Sequence, residues 1–222
     1  MIAHRTLALT LVLGIAGCSS IRMHRIESVP VGAEIYVDEK PVGNAPLDYG
    51  FDFADDAKRY DVVARQEGYV DNFVKVSSIL LDGLGERPIL IKIDEDESYT
   101  NTVPSEAANE WFQIETDAQL DQTQAWQILV DAVTKFYPEL GNLEQEAGYI
   151  SANAKIKGFK RGHVSVQVKN QFFCSIASRV PLVYKVKIES EINEGGGWEP
   201  YPRIFKEDEG LVEELLDRLV AQ

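Results

Sequence analysis

Two stretches in the second half of the sequence change between apolar and polar residues at almost every step. In HVSVQVKNQFF, Val164, Val166, Val168 and Phe172 fall on one side, and Ser165, Gln167, Lys169 and Gln171 on the other. In LVYKVKIESEI, Leu182, Tyr184, Val186, Ile188 and Ile192 oppose Lys185, Lys187, Glu189 and Glu191. A period of two belongs to the β-strand, whose successive side chains leave opposite faces. Strands with one apolar and one charged side predict antiparallel pairing, one face on a core and one in water.

The apolar side needs a cover, and two helical patterns supply it. Asp121-Gln122-Thr123-Gln124 has the form of a capping box, and Trp126, Leu129, Val130, Val133 and Tyr137 follow at helical spacing. Pro138 and Gly141 close that helix. In EDEGLVEELLDRLVAQ, Val212, Leu215, Leu216 and Leu219 form one stripe, with acids at its start where the helix dipole favours them. With strands at WFQIE and GYISANAKI, and a further one near Leu143 to Ala147, residues 110–222 read as β-α-β-β-β-α. That order predicts a curved antiparallel sheet with two helices on its apolar face.

Residues 26–93 have a different texture. AEIYVDE, RYDVVAR, EGYVDNFVKVSSI and RPILIKI read as strands separated by turns rich in Gly, Pro and Asn. No helical spacing interrupts them, so the expectation is a small all-β sandwich. The near-continuous apolar run in RPILIKI predicts a strand covered on both faces. Between the two blocks, DEDESYTNTVPSEAAN (residues 94–109) is acidic and polar and reads as a linker. The fold class is α+β overall.

The chain carries 22 Lys and Arg against 36 Asp and Glu, a formal charge of −14. That balance disfavours nucleic acid and broad binding to anionic headgroups. The basic cluster Lys155, Lys157, Lys160 and Arg161 reads as a solvated turn. At the front, Arg5 precedes a mostly apolar run from Thr6 to Ile15, and small Ala16 and Gly17 lead into Cys18. This is the pattern of a secretory signal peptide, residues 1–17. The run is about half of the ~20 residues that a spanning helix needs.

Little else points to chemistry. Of three histidines, His4 lies in the signal, His24 in the tether that follows it and His163 at a strand start. One histidine cannot make a zinc site of three or four N or S ligands. Neither a G-x-S-x-G elbow nor a phosphate loop is present. Gly195-Gly196-Gly197 opens no helix, and Asp94 to Glu97 lack the ligand spacing of a calcium loop. Cys174, in NQFFCSIA, reads as a buried and inert thiol. The expectation is therefore no catalytic residue, no metal and no diffusible cofactor. Trp198 and Tyr201, beside Pro200 and Pro202, are candidates to offer aromatic faces to a sugar ring or a protein. Trp111 and Trp126 read as core.

Three segments resemble known families. Ile15-Ala16-Gly17-Cys18 resembles the lipobox of bacterial lipoproteins. The resemblance implies cleavage between Gly17 and Cys18, lipid on the Cys18 thiol, acylation of the new amine, and residues 18–25 as a lipidated tether. Ser19 after the cysteine, rather than Asp, implies the outer membrane, at its periplasmic face. VPVGAEIYVDEKPVGNAPLDY, followed by ARQEGYVD, resembles the PEGA domain, with Pro30-Val31-Gly32-Ala33 as the naming stretch and Val31 in place of Glu. That family implies a small β-sandwich of bacterial surface proteins and no shared catalytic or ligand residues. AWQILVDAV with LEQEAGYISANAKI is similar to helix-grip domains of envelope lipoproteins, including the C subunit of the outer-membrane β-barrel assembly machine. Together they imply a non-catalytic, membrane-anchored lipoprotein that docks an envelope protein partner. Binding of peptidoglycan or surface polysaccharide is the alternative.

Overall fold

Dense turns cut the first half into short strands. The computed structural model describes residues 20–220; the predicted signal, Gly17 and Cys18 lie outside the described residues. The strands are β1 (Ile21–Val29), β2 (Glu34–Val37), β3 (Lys40–Asn44), β4 (Leu47–Asp52), β5 (Tyr60–Arg65), β6 (Asn72–Val76) and β7 (Ile89–Lys92). They form a four-stranded sheet in the order β3-β2-β5-β6 and a three-stranded sheet in the order β4-β1-β7. Ile35, Val37, Val62 and Ala64 from the first sheet meet Ile26, Phe51, Ile89 and Ile91 from the second in one core. β1 runs antiparallel to β4 but parallel to β7.

Four features differ from the sequence reading. β3 and β4 are additional strands, and β3 lies in a stretch that reads as a turn because Pro41 and Gly43 break its alternation. Residues 21–25 are not tether: they belong to β1, and His24 bonds the Arg87 carbonyl at 2.8 Å. The strand was hard to see because only Ile26 and Ser28 on it are fully buried. β7 is covered on one face only; Ile89 and Ile91 are buried against the other sheet while Leu90 is exposed on the outer face, which no layer covers there. A helix, α1 (Ser78–Leu84), does interrupt the block. The Ser77 hydroxyl caps it by accepting from Leu80 N at 3.1 Å. Its single fully buried apolar residue, Leu81, is too little to leave a periodic signature.

The acidic stretch 94–109 carries secondary structure of its own. It holds a short helix, α2 (Glu97–Thr100), and a strand, β8 (Thr102–Pro104). Its backbone is bonded on two sides. Val70 N donates to Asp94 O and Asp96 N to Gly68 O, both at 2.8 Å, on the side of the first block. Asp96 also bridges Arg161 of the second block, whose guanidinium lies 3.0 Å from the Asp96 carboxylate. Acidic composition here reflects paired and capping carboxylates: Asp96 caps α2, and Glu97 accepts from Lys160 N at 2.8 Å.

The second half is a seven-stranded sheet with helices on one face. Its elements are β9 (Phe112–Glu115), α3 (Gln122–Phe136), β10 (Leu140–Glu144), β11 (Tyr149–Ala152), β12 (Lys155–Arg161), β13 (Val164–Arg179), β14 (Leu182–Asn193) and β15 (Trp198–Pro200). The sheet order is β10-β11-β13-β14-β15, with β12 also on β13 and β9 also on β14. Then β16 (Arg203–Phe205) pairs with β8, and α4 (Leu211–Leu219) ends the described chain. The sequence reading missed β15 and β16, three residues each and too short for alternation to register. Phe172, Cys174, Tyr184, Val186 and Ile188 of the sheet pack against Leu129 and Val133 of α3 and Leu211, Leu215 and Leu219 of α4. The predicted capping box is present. Asp121 accepts from Gln124 N at 2.8 Å, and Gln124 accepts from Asp121 N at 3.1 Å.

Gly148, in the turn before β11, has φ +59°, and a Cβ there would lie 2.4 Å from Ile176 Cγ1 and 3.0 Å from Tyr184. Only glycine takes that conformation without strain. Gly148→Ala is expected to cost about 2 kcal/mol, read as a lower urea midpoint at unchanged slope.

Candidate docking face

The helices cover one face of the sheet and leave the other open, and its chemistry follows from the alternation of β13 and β14. Lys169, Gln171, Phe173 and Ser175 face outward from β13, and Lys185, Lys187, Glu189 and Glu191 from β14. Register puts Phe173 opposite Lys187, Gln171 opposite Glu189 and Lys169 opposite Glu191. Trp111, just before β9, lies on the same face, 46% exposed. Its ring centroid is 4.8 Å from Lys185 Nζ and 5.2 Å from Lys187 Nζ. Lys187 also lies 5.5 Å from the Phe173 ring and 3.1 Å from Glu189. One ammonium thus joins Trp111 to Phe173 across neighbouring strands. Further along, Lys169 lies 5.0 Å from the Trp198 ring and pairs with Glu191. Each cation–ring contact contributes roughly 0.5–1 kcal/mol at such exposure. The result is a row of ordered rings and lysines, in a chain whose net charge is strongly negative.

Asn109 fixes the position of Trp111. It sits at φ +64°, donates from its side chain to Ser190 O at 2.9 Å and to Tyr201 O at 3.0 Å, and accepts from Ser190 N at 2.9 Å. Its backbone N also donates to Ile188 O at 2.9 Å. Asparagine tolerates the left-handed region better than most residues. Trp111 is therefore delivered to the open face, not to the core as the sequence suggests; Trp126 is core.

Trp198 and Tyr201 do not form one platform. Trp198 pairs with Asn193 and faces outward over Lys169. Tyr201 lies three residues on and packs with Val166, Val168 and Phe205 on the covered side, its hydroxyl 3.3 Å from Thr102. Trp198 shares its face with Trp111 and Phe173 but stands further along it, and sequence spacing cannot connect the three because they come from separate segments of the chain.

The remaining chemical candidates are tied into structure. Asp208 is fully buried, yet its carboxylate accepts from Lys155 Nζ at 2.6 Å and from Tyr137 Oη at 2.9 Å. Lys155 also lies 4.5 Å from the Tyr137 ring and 3.0 Å from Glu207. Lys157 pairs with Glu207, and Arg161 with Asp96 and Glu194. Lys155 and Lys157 thus form a clasp between β12 and the segment before α4, and Arg161 a tie to the acidic stretch, not a solvated turn; the Lys160 side chain is exposed. Burial, then the Asp208 charge, raises the Tyr137 hydroxyl well above its ordinary range, so it stays protonated and donates. Buried Asn170 ties three elements: its amide oxygen accepts from Phe205 N at 2.8 Å and its nitrogen donates to Ser190 Oγ at 2.9 Å. Cys174 is buried and free, and burial raises its thiol out of the reactive range. His163 is exposed, 3.4 Å from Asp94. Among the described residues no group of three His, Cys, Asp or Glu is arranged to hold a metal ion, and no helix is long and apolar enough to cross a membrane.

The sequence model of the PEGA domain matches residues 23–79. Those residues form a PEGA domain. The match starts inside β1 and ends in α1, so β7, which completes the three-stranded sheet of the PEGA block, lies beyond it. No curated protein and no solved structure matches the chain. A PEGA domain suggests an extracellular or periplasmic binding or scaffold module.

Two stability results follow from the clasp. Tyr137→Phe removes a donor from a buried carboxylate and is expected to cost about 1–3 kcal/mol, measured by urea denaturation. Glu207 is held below its ordinary carboxyl value of 4.5, chiefly by its hydrogen bond to Lys157, with burial opposing and Lys155 adding to the effect. A lowered folded value means stabilisation that is present above the unfolded value and is lost as pH falls through the folded one. Lys157→Ala is expected to flatten the acid limb of the stability profile below about pH 5 and leave the neutral-to-alkaline limb unchanged in shape.

Proposed function

We propose that the chain is a non-catalytic lipoprotein of the bacterial envelope, anchored through lipid on Cys18, whose second domain docks another envelope protein. The observation that carries the docking reading is the uncovered sheet face, with Trp111, Phe173 and Trp198 ordered among Lys169, Lys185 and Lys187. Tryptophan contributes large contact area at little entropic cost and is over-represented where interfaces lose most energy on truncation. Lysines laid on the rings keep the apolar surface wet until a partner arrives. Because Lys169 and Lys187 are paired with Glu191 and Glu189, the face is nearly neutral, and the complementary surface is chiefly apolar with polar groups at its rim.

Further support comes from the PEGA match and the lipobox-like Ile15-Ala16-Gly17-Cys18. A helix pair laid on an antiparallel sheet is also consistent with the likeness to helix-grip domains of envelope lipoproteins. Outer-membrane residence at the periplasmic face rests on Ser19 following Cys18. A cell-wall glycan is the competing occupant, but the Trp198–Tyr201 pair that would have stacked on it is divided between two faces.

Two measurements test this reading. Mass spectrometry of the mature protein is expected to find an acylated N-terminal Cys18, and Cys18→Ala to move the chain from the membrane to the soluble fraction. Photo-crosslinking in cells from Gln171 is expected to yield one protein adduct, reduced about tenfold or more by Trp111→Ala, a loss of ~1.4 kcal/mol or more. Crosslinking from exposed Glu213 on α4 is expected to yield no such adduct. Retention on purified sacculi, lost in Trp198→Ala, with no protein adduct, would instead assign the face to glycan.

A further inference from the structure

β1 begins at Ile21, three residues after Cys18, and even Ser20 is not free. The Ser20 carbonyl accepts from Phe53 N at 3.2 Å, and its hydroxyl bonds the Asp52 carboxylate at the end of β4. Three peptide steps reach at most about 11 Å. The headgroup layer of one leaflet is roughly 5–7 Å thick. On the reading that Cys18 carries the lipid, the start of β1 therefore cannot leave the membrane surface.

Exposed apolar side chains stand at that end. Ile21 and Met23 are 55% and 65% exposed, and both lie over Gly50 on the outward face of the three-stranded sheet. A Cβ at Gly50 would meet Ile21 Cγ2 at 2.9 Å and Met23 Sδ at 3.1 Å, so the glycine lets the two side chains close into one patch. Arg22, on the other face of β1, reaches the Ser78 carbonyl at 3.5 Å and Asp82 at 2.6 Å. Those contacts bring the start of α1 to the same end, with Ile79 73% exposed. Charge there is nearly balanced: Arg22, Lys58 and Arg59 stand with Asp52, Asp55, Asp56 and Asp82. The strongly acidic character of the chain, which an anionic leaflet would repel, lies elsewhere.

We infer that this end of the PEGA domain is a membrane seat. Ile21, Met23 and Ile79 rest in the phospholipid headgroup layer beside the acylated Cys18, and the domain is mounted close to the lipid, a single residue separating Cys18 from the bonded Ser20. The inference rests on the anchored reading above and adds an orientation to it. β1 is nine residues long, about 27–30 Å. It runs parallel to β7, so the chain leaves the PEGA domain at Ile93, bonded to Val29 O, at the end opposite the seat. The second domain is thereby held away from the lipid.

The test uses the mature lipidated protein in vesicles of phosphatidylethanolamine and phosphatidylglycerol. Single cysteines replace Met23, Ile79 or, as a remote site, Val180 at the exposed β13–β14 turn, each carrying a bimane fluorophore. Native Cys174 is buried and takes no label. Lipid-borne nitroxide is expected to quench the probes at Met23→Cys and Ile79→Cys at least about twofold more than that at Val180→Cys. Inserting roughly ten Gly and Ser residues between Ser19 and Ser20 is expected to reduce that difference while the protein stays on the vesicles. Acylated protein with equal quenching at all three sites overturns the seat and leaves the anchor standing. Protein whose N-terminus carries no acyl mass overturns the anchor itself.

Discussion

The second domain depends on one pairing: sixteen residues of β13 laid antiparallel on twelve of β14. Its inner face holds Val166, Val168, Phe172, Tyr184, Val186 and Ile188, and without that surface neither α3 nor α4 has anything to cover. Its outer face holds the ring-and-lysine row. Both faces are set by one register, because a slip of a single residue would exchange them. The buried polar residues sit where that register leaves room for them: Asn170 and Ser190 are paired across the strands and bonded to each other and to the β16 segment.

The acidic stretch between the domains is the second constraint. It is short, and its carboxylates are used: Asp96 for Arg161 and the cap of α2, Glu97 for Lys160 N. Arg203 then lies 3.7 Å over the Tyr99 ring and donates to Thr102 O at 2.8 Å. A segment bonded on both sides transmits the position of one domain to the other. On the proposed anchored reading, a first strand that starts three residues after Cys18 and a junction held by backbone bonds would leave few joints between the lipid and the open sheet face.

Elements with long, regular patterns were legible. The capping box at Asp121, the apolar stripe of α3 and the alternation in β13 and β14 all appear where the residues predict. β1, β3, β4, α1, β15 and β16 were not legible, and the reasons are local; Pro41 and Gly43 break the alternation of β3, and Gly50 that of β4. β1 buries only two residues completely, α1 only one apolar side chain, and the last two are three residues long. The PEGA block was recognisable because its turns, Pro30-Val31-Gly32-Ala33 and Gly43 to Pro46, carry backbone requirements that few residues meet. The candidate face was legible only as isolated aromatics. Trp111 precedes β9, Phe173 lies on β13 and Trp198 on β15, and only strand pairing brings them to one side.

Local residue order alone determined the parts that depend on near neighbours: the long alternating strands, where α3 starts, and the α+β class. These follow from side-chain period and from capping groups within four residues of one another. The tertiary structure decided what each side chain faces. It turned Trp111 outward, separated Trp198 from Tyr201, buried Asp208 against Lys155 and Tyr137, and drew the acidic stretch into a junction. Those outcomes depend on strand order and on which helix covers which face. Such choices are made by contacts between residues tens of positions apart, and no window along the chain contains both partners.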